Sequence, residues 1–341
     1  MNQRLDSLQI LRAFAALSVV LNHFFGVIDY PVFKKLGLDY IGGFGVDIFF
    51  VLSGFIMCYT TKDESKGGFL EAKRFLLKRV NRIYPSYLII LIPFLVFTVF
   101  IKKDWSIYQI VGNVFLLPTF FNDHAYYMYI TPSWTLVYEM FFYAIFTMAI
   151  FFAGNKNRIV IITACSIVIM VFVVNFFSLQ GERLRWVNFS FMIGDTLMLN
   201  FVAGCVFALL YRRSLSLNIS NVFLMLSSIL LFLLGMMLGR DGVPRFLSFG
   251  LPSIFIVSFI SLYRCNRNRV NDFLILLGNA SYSIYLIHYL FAAVLFRITG
   301  GEGEASILVS TIFMLSSIVT GTLFHLYIER KITKLPIFSI K

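Results

Sequence analysis

Arg12 and His23 stand in one apolar run with ten residues between them. Eleven helical positions at about 100° each bring the second side chain to within about 20° of the first, roughly 16 Å farther along the axis. One stripe of that helix would then carry a permanent cation low and a titratable base high. An ionisable group inside a lipid-spanning segment is costly unless it is paired or faces a cavity, so such residues mark chemistry or a transport path. A lone His23 would read as a packed histidine bonded to a carbonyl; the aligned arginine weighs against that. In another run, opened by Pro132, Ser133 and Trp134, Glu139 lies about two turns in. A carboxyl at that depth is either protonated or partnered by a cation. A salt bridge to an arginine and the orientation of a catalytic histidine are both open to it.

Two further stretches carry polar groups among apolar ones. Ser281, Tyr285 and His288 fall within about 60° of one helical face, so three hydrogen-bonding groups project together. Interhelical bonding accounts for the two hydroxyls, and His288 is divided between packing and chemistry. Asp47 precedes Phe49-Phe50-Val51-Leu52-Ser53-Gly54-Phe55. Ser53 and Gly54 read there as a close-packing pair, and the role of Asp47 stays open.

The elements that must hold these residues are membrane helices. Of 341 residues, 59% are hydrophobic and only 13% charged, against about 25% charged in a soluble domain. Ten runs are long and apolar enough to span: 8–27, 45–61, 83–101, 133–153, 158–177, 196–211, 220–239, 246–263, 273–296 and 305–328. The expected fold is an all-α polytopic membrane protein of about ten transmembrane helices. The first run lacks a small-residue cleavage site and carries Arg12 and His23, so it is expected to be a retained span and not a signal peptide.

The formal net charge is +12, but the cations lie in short clusters between apolar runs and not on one solvated face, which argues against nucleic acid as a partner. With the N-terminus inside, the outward connections hold Lys34, Lys35, Lys102, Lys103, Arg183, Arg185, Arg240, Arg245 and Arg297. Arg12 apart, the rest of the 29 lysines and arginines fall on the inward side. That asymmetry predicts cytoplasmic N- and C-termini. Residues 64–82 form a basic amphipathic stretch that reads as an interfacial helix against anionic lipid. The connection 102–132 is rich in Tyr and Phe and is expected to dip toward the membrane or cover a site. Cys58, Cys165, Cys205 and Cys265 have neither metal nor disulfide spacing and read as packing residues.

Five pieces, in order along nearly the whole chain, resemble the acyltransferase-3 family of integral membrane acyltransferases. They are Arg12 with His23; Gly45-Val46-Asp47 through Phe55; Arg79-Val80-Asn81-Arg82-Ile83-Tyr84-Pro85; Ser133-Trp134-Thr135-Leu136-Val137-Tyr138-Glu139; and Ser281-Tyr282-Ser283-Ile284-Tyr285-Leu286-Ile287-His288. Thr135 stands where many members have Ser. The resemblance implies one integral membrane acyltransferase domain over 1–341, without the extracytoplasmic domain that some members append. It also implies a bacterial inner-membrane O-acetyltransferase of the exopolysaccharide, capsule or O-antigen type. Acetyl-CoA would be its acyl-donor co-substrate, with no cofactor or metal bound permanently. Its partners would be the lipid bilayer and a glycan acceptor, a polysaccharide or lipid-linked oligosaccharide.

Acyl transfer from a thioester to an alcohol needs a base, donors for the developing oxyanion and a grip on the CoA phosphates. His23 is the candidate base, with an acyl-imidazole intermediate as a variant; Glu139 and Arg12 complete the candidate catalytic set. Arg79 and Arg82, three apart, offer guanidinium forks to phosphates, and Arg12 is placed to grip the pyrophosphate or pantetheine. Asp47, Ser133, Trp134, Ser281, Tyr285 and His288 are the supporting or substrate-contacting candidates. A transporter or flippase of a glycan or anion is the rival class, because intramembrane Arg, His and Glu also mark such pathways. It predicts inverted repeats, and the sequence shows no such symmetry. A lipid, peptidoglycan or small-molecule acceptor, or a succinyl donor, is equally compatible with the residues.

Overall fold

The computed structural model describes residues 3–26, 39–63, 67–103, 105–121, 123–214, 219–299 and 306–334. Twelve helices carry its architecture, and among the described residues there is no strand beyond an isolated bridge between Thr119 and Asn188. They are α1 (Gln3–Leu21), α2 (Ile41–Thr60), α3 (Gly68–Val96), α4 (Ile107–Phe115), α5 (Trp134–Phe152), α6 (Lys156–Phe176), α7 (Leu197–Ser214), α8 (Asn221–Arg240), α9 (Leu251–Leu262), α10 (Arg269–Asn279), α11 (Ser281–Ile298) and α12 (Ile307–Phe324). Wider π turns extend α1 through Asn22–Gly26, α3 through Phe97–Lys102 and α12 through His325–Glu329, and precede α9 at Phe246–Gly250. Eight of these helices, with their extensions, are long and apolar enough to cross a membrane, and two shorter apolar ones, Leu197–Tyr211 and Phe246–Leu262, correspond to the sixth and eighth predicted runs. The protein is an all-α, multi-pass membrane protein.

α2 is the buried centre, packed against α1, α7 and α9. Its approach to α7 is set by small residues on both sides: a Cβ on Gly54 would strike the Phe201 carbonyl, and one on Gly204 would strike the Val51 carbonyl. In lipid the backbones can close only where side chains are small, and dispersion between them then holds the pair. Phe142 stacks on Phe201 at 4.1 Å beside that seam. The opposite condition holds at the periphery, where Leu226, Leu230 and Leu233 of α8 stay exposed, as a lipid-facing surface requires.

Two expectations about element limits change. The 64–82 stretch is not a separate interfacial helix: from Gly68 onward it is the start of α3, one continuous helix through Pro85 and Pro93. Together with its π extension it covers 35 residues, roughly 50 Å against a hydrocarbon core of about 30 Å, so its first turns project beyond the core. Phe69 and Leu70 there are exposed, while Phe75 packs on Phe146 at 5.1 Å and so docks the segment against α5. The ninth run, 273–296, is two helices. α10 is N-capped by Asn268, whose side chain accepts from the Asn271 amide at 2.8 Å, and ends at Ala280, after which α11 sets off anew.

The connection 102–132 carries α4, N-capped by Ser106. Buried Asn113 organises it: its amide donates to the Tyr127 carbonyl at 3.0 Å and its carbonyl oxygen accepts from the Tyr129 amide at 2.6 Å. Tyr84 and Tyr87 of α3 donate to the Phe115 and Asn113 carbonyls. The connection therefore packs down on the middle of α3.

Candidate active site

The break at Ala280 sets α11 on its course beside α1, α3 and α5, with Ser281, Tyr282 and Tyr285 walling a cavity. Arg12 enters the same cavity from α1, Ser53 from α2, Arg79 and Arg82 from α3, and Thr135 and Glu139 from α5. Three arginines from two helices thus line one cavity together with the Glu139 carboxylate. Glu139 accepts from Ser53 Oγ at 3.2 Å and from the Tyr143 hydroxyl. Of the pair read as packing residues, only Gly54 does so; Ser53 points to the carboxylate. Arg12 spends one donor on Gln9 at 3.2 Å. Arg79 donates to Thr60 at 3.1 Å and lies over the Phe75 and Tyr143 rings. A guanidinium has five N–H donors, so these bonds leave most of them unspent. Three clustered guanidiniums against Glu139 on the cavity wall and Glu329 within electrostatic reach of Arg12 still leave an excess of positive charge, which suits a polyphosphate.

His23 stands outside that cavity lining, in the π turn that ends α1, where its Nδ1 lies 2.8 Å from Nε2 of His288. The rings stack with centroids 5.0 Å apart. The tautomers of the neutral pair follow from the partners. His288 Nδ1 faces the Ile284 carbonyl at 3.2 Å, and a carbonyl only accepts, so that nitrogen carries the proton. Nε2 of His288 is then the acceptor, His23 must donate from Nδ1, and the His23 lone pair resides on Nε2. The pair leaves one base nitrogen, held in orientation by its neighbour.

Tyr285 separates the two halves. It lines the arginine cavity on one side and packs its ring 5.9 Å from His288 on the other. Its hydroxyl is fixed between Thr135 Oγ1 and the Pro132 carbonyl, both at 2.9 Å. The cavity that holds Arg12 and the ring of His23 are therefore separated by the Tyr285 and His288 side chains, and His23 does not line that cavity. Glu139 is on the arginine side, hydrogen-bonded to neither histidine.

The other candidates lie around this axis. Ser281 is fully buried on the cavity wall, its hydroxyl without a partner among the described residues, and Ser133 is buried in the turn before α5 beside the Tyr87 hydroxyl. Trp134 stacks on Trp186 at 5.0 Å. Asp47 is tied up away from the cavity: Arg245 donates to its Oδ2 from Nε at 2.9 Å and from Nη2 at 2.8 Å, and Asn200 donates to Oδ1 at 2.6 Å. The sequence reading missed Arg245, counted there as a loop cation, as well as Asn200, Tyr143 and Tyr282, whose hydroxyl donates to the Ile83 carbonyl at 2.8 Å. It also missed Glu329, which accepts from Ser283 at 2.5 Å and faces His325 at 2.8 Å. A glutamate directly after the last apolar run, four positions from His325 within it, was the available signal for that cluster.

A multi-pass helical bundle with an intramembrane arginine cavity beside a histidine pair is the architecture of a membrane-bound group-transfer enzyme. Residues 5–326 match the family described as an acyltransferase domain, and the chain belongs to this acyltransferase-3 family; it is an acyltransferase. It is similar to the exopolysaccharide production protein ExoZ of Rhizobium meliloti, 25% identical over 308 residues that cover 86% of this chain and 90% of that protein. It is also similar to the acyltransferase MdmB of Streptomyces mycarofaciens, 26% identical over 97% of this chain and 92% of that one. A Staphylococcus aureus protein named "Putative O-acetyltransferase SACOL0978" is 25% identical over 82% of this chain and 49% of its own length. No solved structure matches.

Proposed function

We propose that this acyltransferase takes an acetyl group from cytoplasmic acetyl-CoA and delivers it to a hydroxyl of a bacterial cell-surface polysaccharide, or of its lipid-linked precursor, at the outer face of the inner membrane. The observation that carries the reading is the juxtaposition of the arginine cavity and the histidine pair across the single ring of Tyr285. The exopolysaccharide role in the name of ExoZ and the O-acetyltransferase name of the staphylococcal relative support the acceptor and acyl classes. The excess of lysine and arginine on the segments next to the termini supports cytoplasmic ends, and with them an arginine cavity on the donor side.

In this scheme Arg12, Arg79 and Arg82 hold the CoA phosphates, and Glu139 offsets part of their charge. The pantetheine arm runs past Tyr285 toward His23. Nε2 of His23 takes the proton of the acceptor hydroxyl as its oxygen bonds to the thioester carbonyl carbon. The tetrahedral intermediate then collapses, the C–S bond breaks, and the thiolate of CoA recovers the proton from the His23 imidazolium. His288 keeps His23 in the tautomer that can do this.

The test is an NMR comparison of surface polysaccharide from cells carrying the wild-type protein or His23→Ala. O-acetyl signals are expected with the first and absent with the second. Acetylation that survives the substitution removes His23 from the reaction, and a gene deletion without effect on acetyl content removes the polysaccharide acceptor.

A further inference from the structure

The connection 177–196 crosses the one that carries α4. Two backbone hydrogen bonds stitch them, Thr119 N to the Val187 carbonyl at 2.8 Å and Phe189 N to the Thr119 carbonyl at 2.9 Å. The crossing holds an unusual turn. Leu184, Arg185 and Trp186 have φ of +34°, +56° and +65° in succession. Side chains with a Cβ seldom adopt that region, and three in a row persist only where surrounding contacts over-determine them.

The turn arranges cations on aromatic faces. Arg183 lies 3.8 Å from the centroid of Trp186, whose other face stacks on Trp134. Arg185 lies 5.3 Å from the centroid of Tyr127, and Lys102 approaches the same ring at 5.5 Å. Ring stacking orients a guanidinium and removes water from its flat faces, but leaves the in-plane N–H donors unspent. Neither Arg183 nor Arg185 has a carboxylate partner among the described residues; the nearby Glu182 faces His124 at 3.3 Å. Both guanidiniums, oriented by their rings, therefore offer in-plane donors to an anion.

The cluster also leads inward. Thr131, in the turn that opens onto Trp134, donates to the Tyr289 hydroxyl at 2.6 Å, and the Tyr289 ring meets the His23 ring edge-on at 6.4 Å. Arginines serving only to anchor the protein to lipid headgroups would have no reason to stack on a tryptophan pair that adjoins this path.

We propose that Arg183 and Arg185 bind the anionic group of the acceptor, which makes the acceptor an acidic saccharide whose charge is a carboxylate or a phosphate. The identification of this ligand as the acceptor rests on the acyl-transfer reading above; the anion site itself does not. The protein in phosphatidylcholine nanodiscs, with CoA present at saturation to occupy the arginine cavity, is titrated with hexagalacturonate, maltohexaose and inorganic pyrophosphate, and compared with Arg183→Gln/Arg185→Gln. Losing two charge-assisted contacts should weaken the anionic probe by about ten-fold or more, with maltohexaose unaffected. Competition by pyrophosphate points to a phosphate, and binding of hexagalacturonate alone to a carboxylate. The proposal is overturned if neither anion binds, if the double variant binds them as the wild type does, or if the substitutions alter only association with phosphatidylglycerol-containing bilayers. Unchanged acetyl-CoA binding by the variant certifies its fold, and Arg183→Lys/Arg185→Lys, which keeps the charge, should lose less. Because the readout is binding, failure here leaves the acetylation test of His23 untouched.

Discussion

His23 donates from Nδ1 to Nε2 of His288 at 2.8 Å, and His288 in turn is pinned by the Ile284 carbonyl. The second histidine thus acts on the first as an orienting acceptor, without itself carrying a lone pair free for the acceptor hydroxyl. His288→Leu removes that acceptor and lets the His23 ring turn over. We expect kcat to fall by about a hundred-fold while the KM for acetyl-CoA stays within about two-fold, a split that loss of fold does not produce. His288→Gln, whose amide oxygen can accept from His23, should retain more activity than His288→Leu. Equal losses in both variants would remove the orienting role.

Arg82 lines the cavity from α3 and has no hydrogen-bond partner among the described residues, so its donors are available to a phosphate. Arg82→Gln should raise the KM for acetyl-CoA by about ten- to a hundred-fold, the worth of one or two charge-assisted bonds. Arg82→Lys keeps the charge but not the fork and should fall between. Steady-state kinetics on the reconstituted enzyme checks this, and an unchanged KM in Arg82→Gln would place the CoA phosphates elsewhere.

How much of this was legible in the sequence depended on distance along the chain. The spans were legible because apolar length is a local property, and Arg12, Glu139 and Tyr285 stood out as polar groups in apolar runs that had to face an interior, with Arg82 a cation at the edge of one. Pairings were not. Asp47 meets Arg245 across 198 positions and His23 meets His288 across 265, and nothing local to either member names the other. Ser53 and Gly54 looked alike as small neighbours, yet successive helical positions differ by about 100°, which sends one toward Glu139 and the other toward α7. The break at Ala280 was hidden because residues 273–277 are apolar enough to pass as the start of α11, while they in fact continue α10 against α1.

The Asp47–Arg245 pair makes its own prediction. Asp47 is buried to 1% side-chain exposure and Arg245 to 25%, so removing one partner strands the other. Asp47→Ala and Arg245→Ala should each destabilise the protein by about 3 kcal/mol. The double variant should lose clearly less than the sum, because no charge is then left unpaired. Equilibrium unfolding in mixed micelles measures all three, and additive losses would show that the pair does not couple. Asn200, which donates to the other carboxylate oxygen, should depend on Asp47 in the same way.

Tyr285 is the one ring between the arginine cavity and the histidine pair, and its hydroxyl is clamped by Thr135 and Pro132. Exclusion of water from a thioester prevents its hydrolysis while an acceptor is awaited. Tyr285→Ala joins the two spaces and admits water to His23, so acetyl-CoA hydrolysis without acceptor should rise relative to transfer. Tyr285→Phe keeps the ring and loses only the clamp, so its ratio of hydrolysis to transfer should stay close to that of the wild type. The two rates are read from free CoA released with and without the acceptor saccharide. If Tyr285→Ala leaves their ratio unchanged, the ring does not separate the donor cavity from the base.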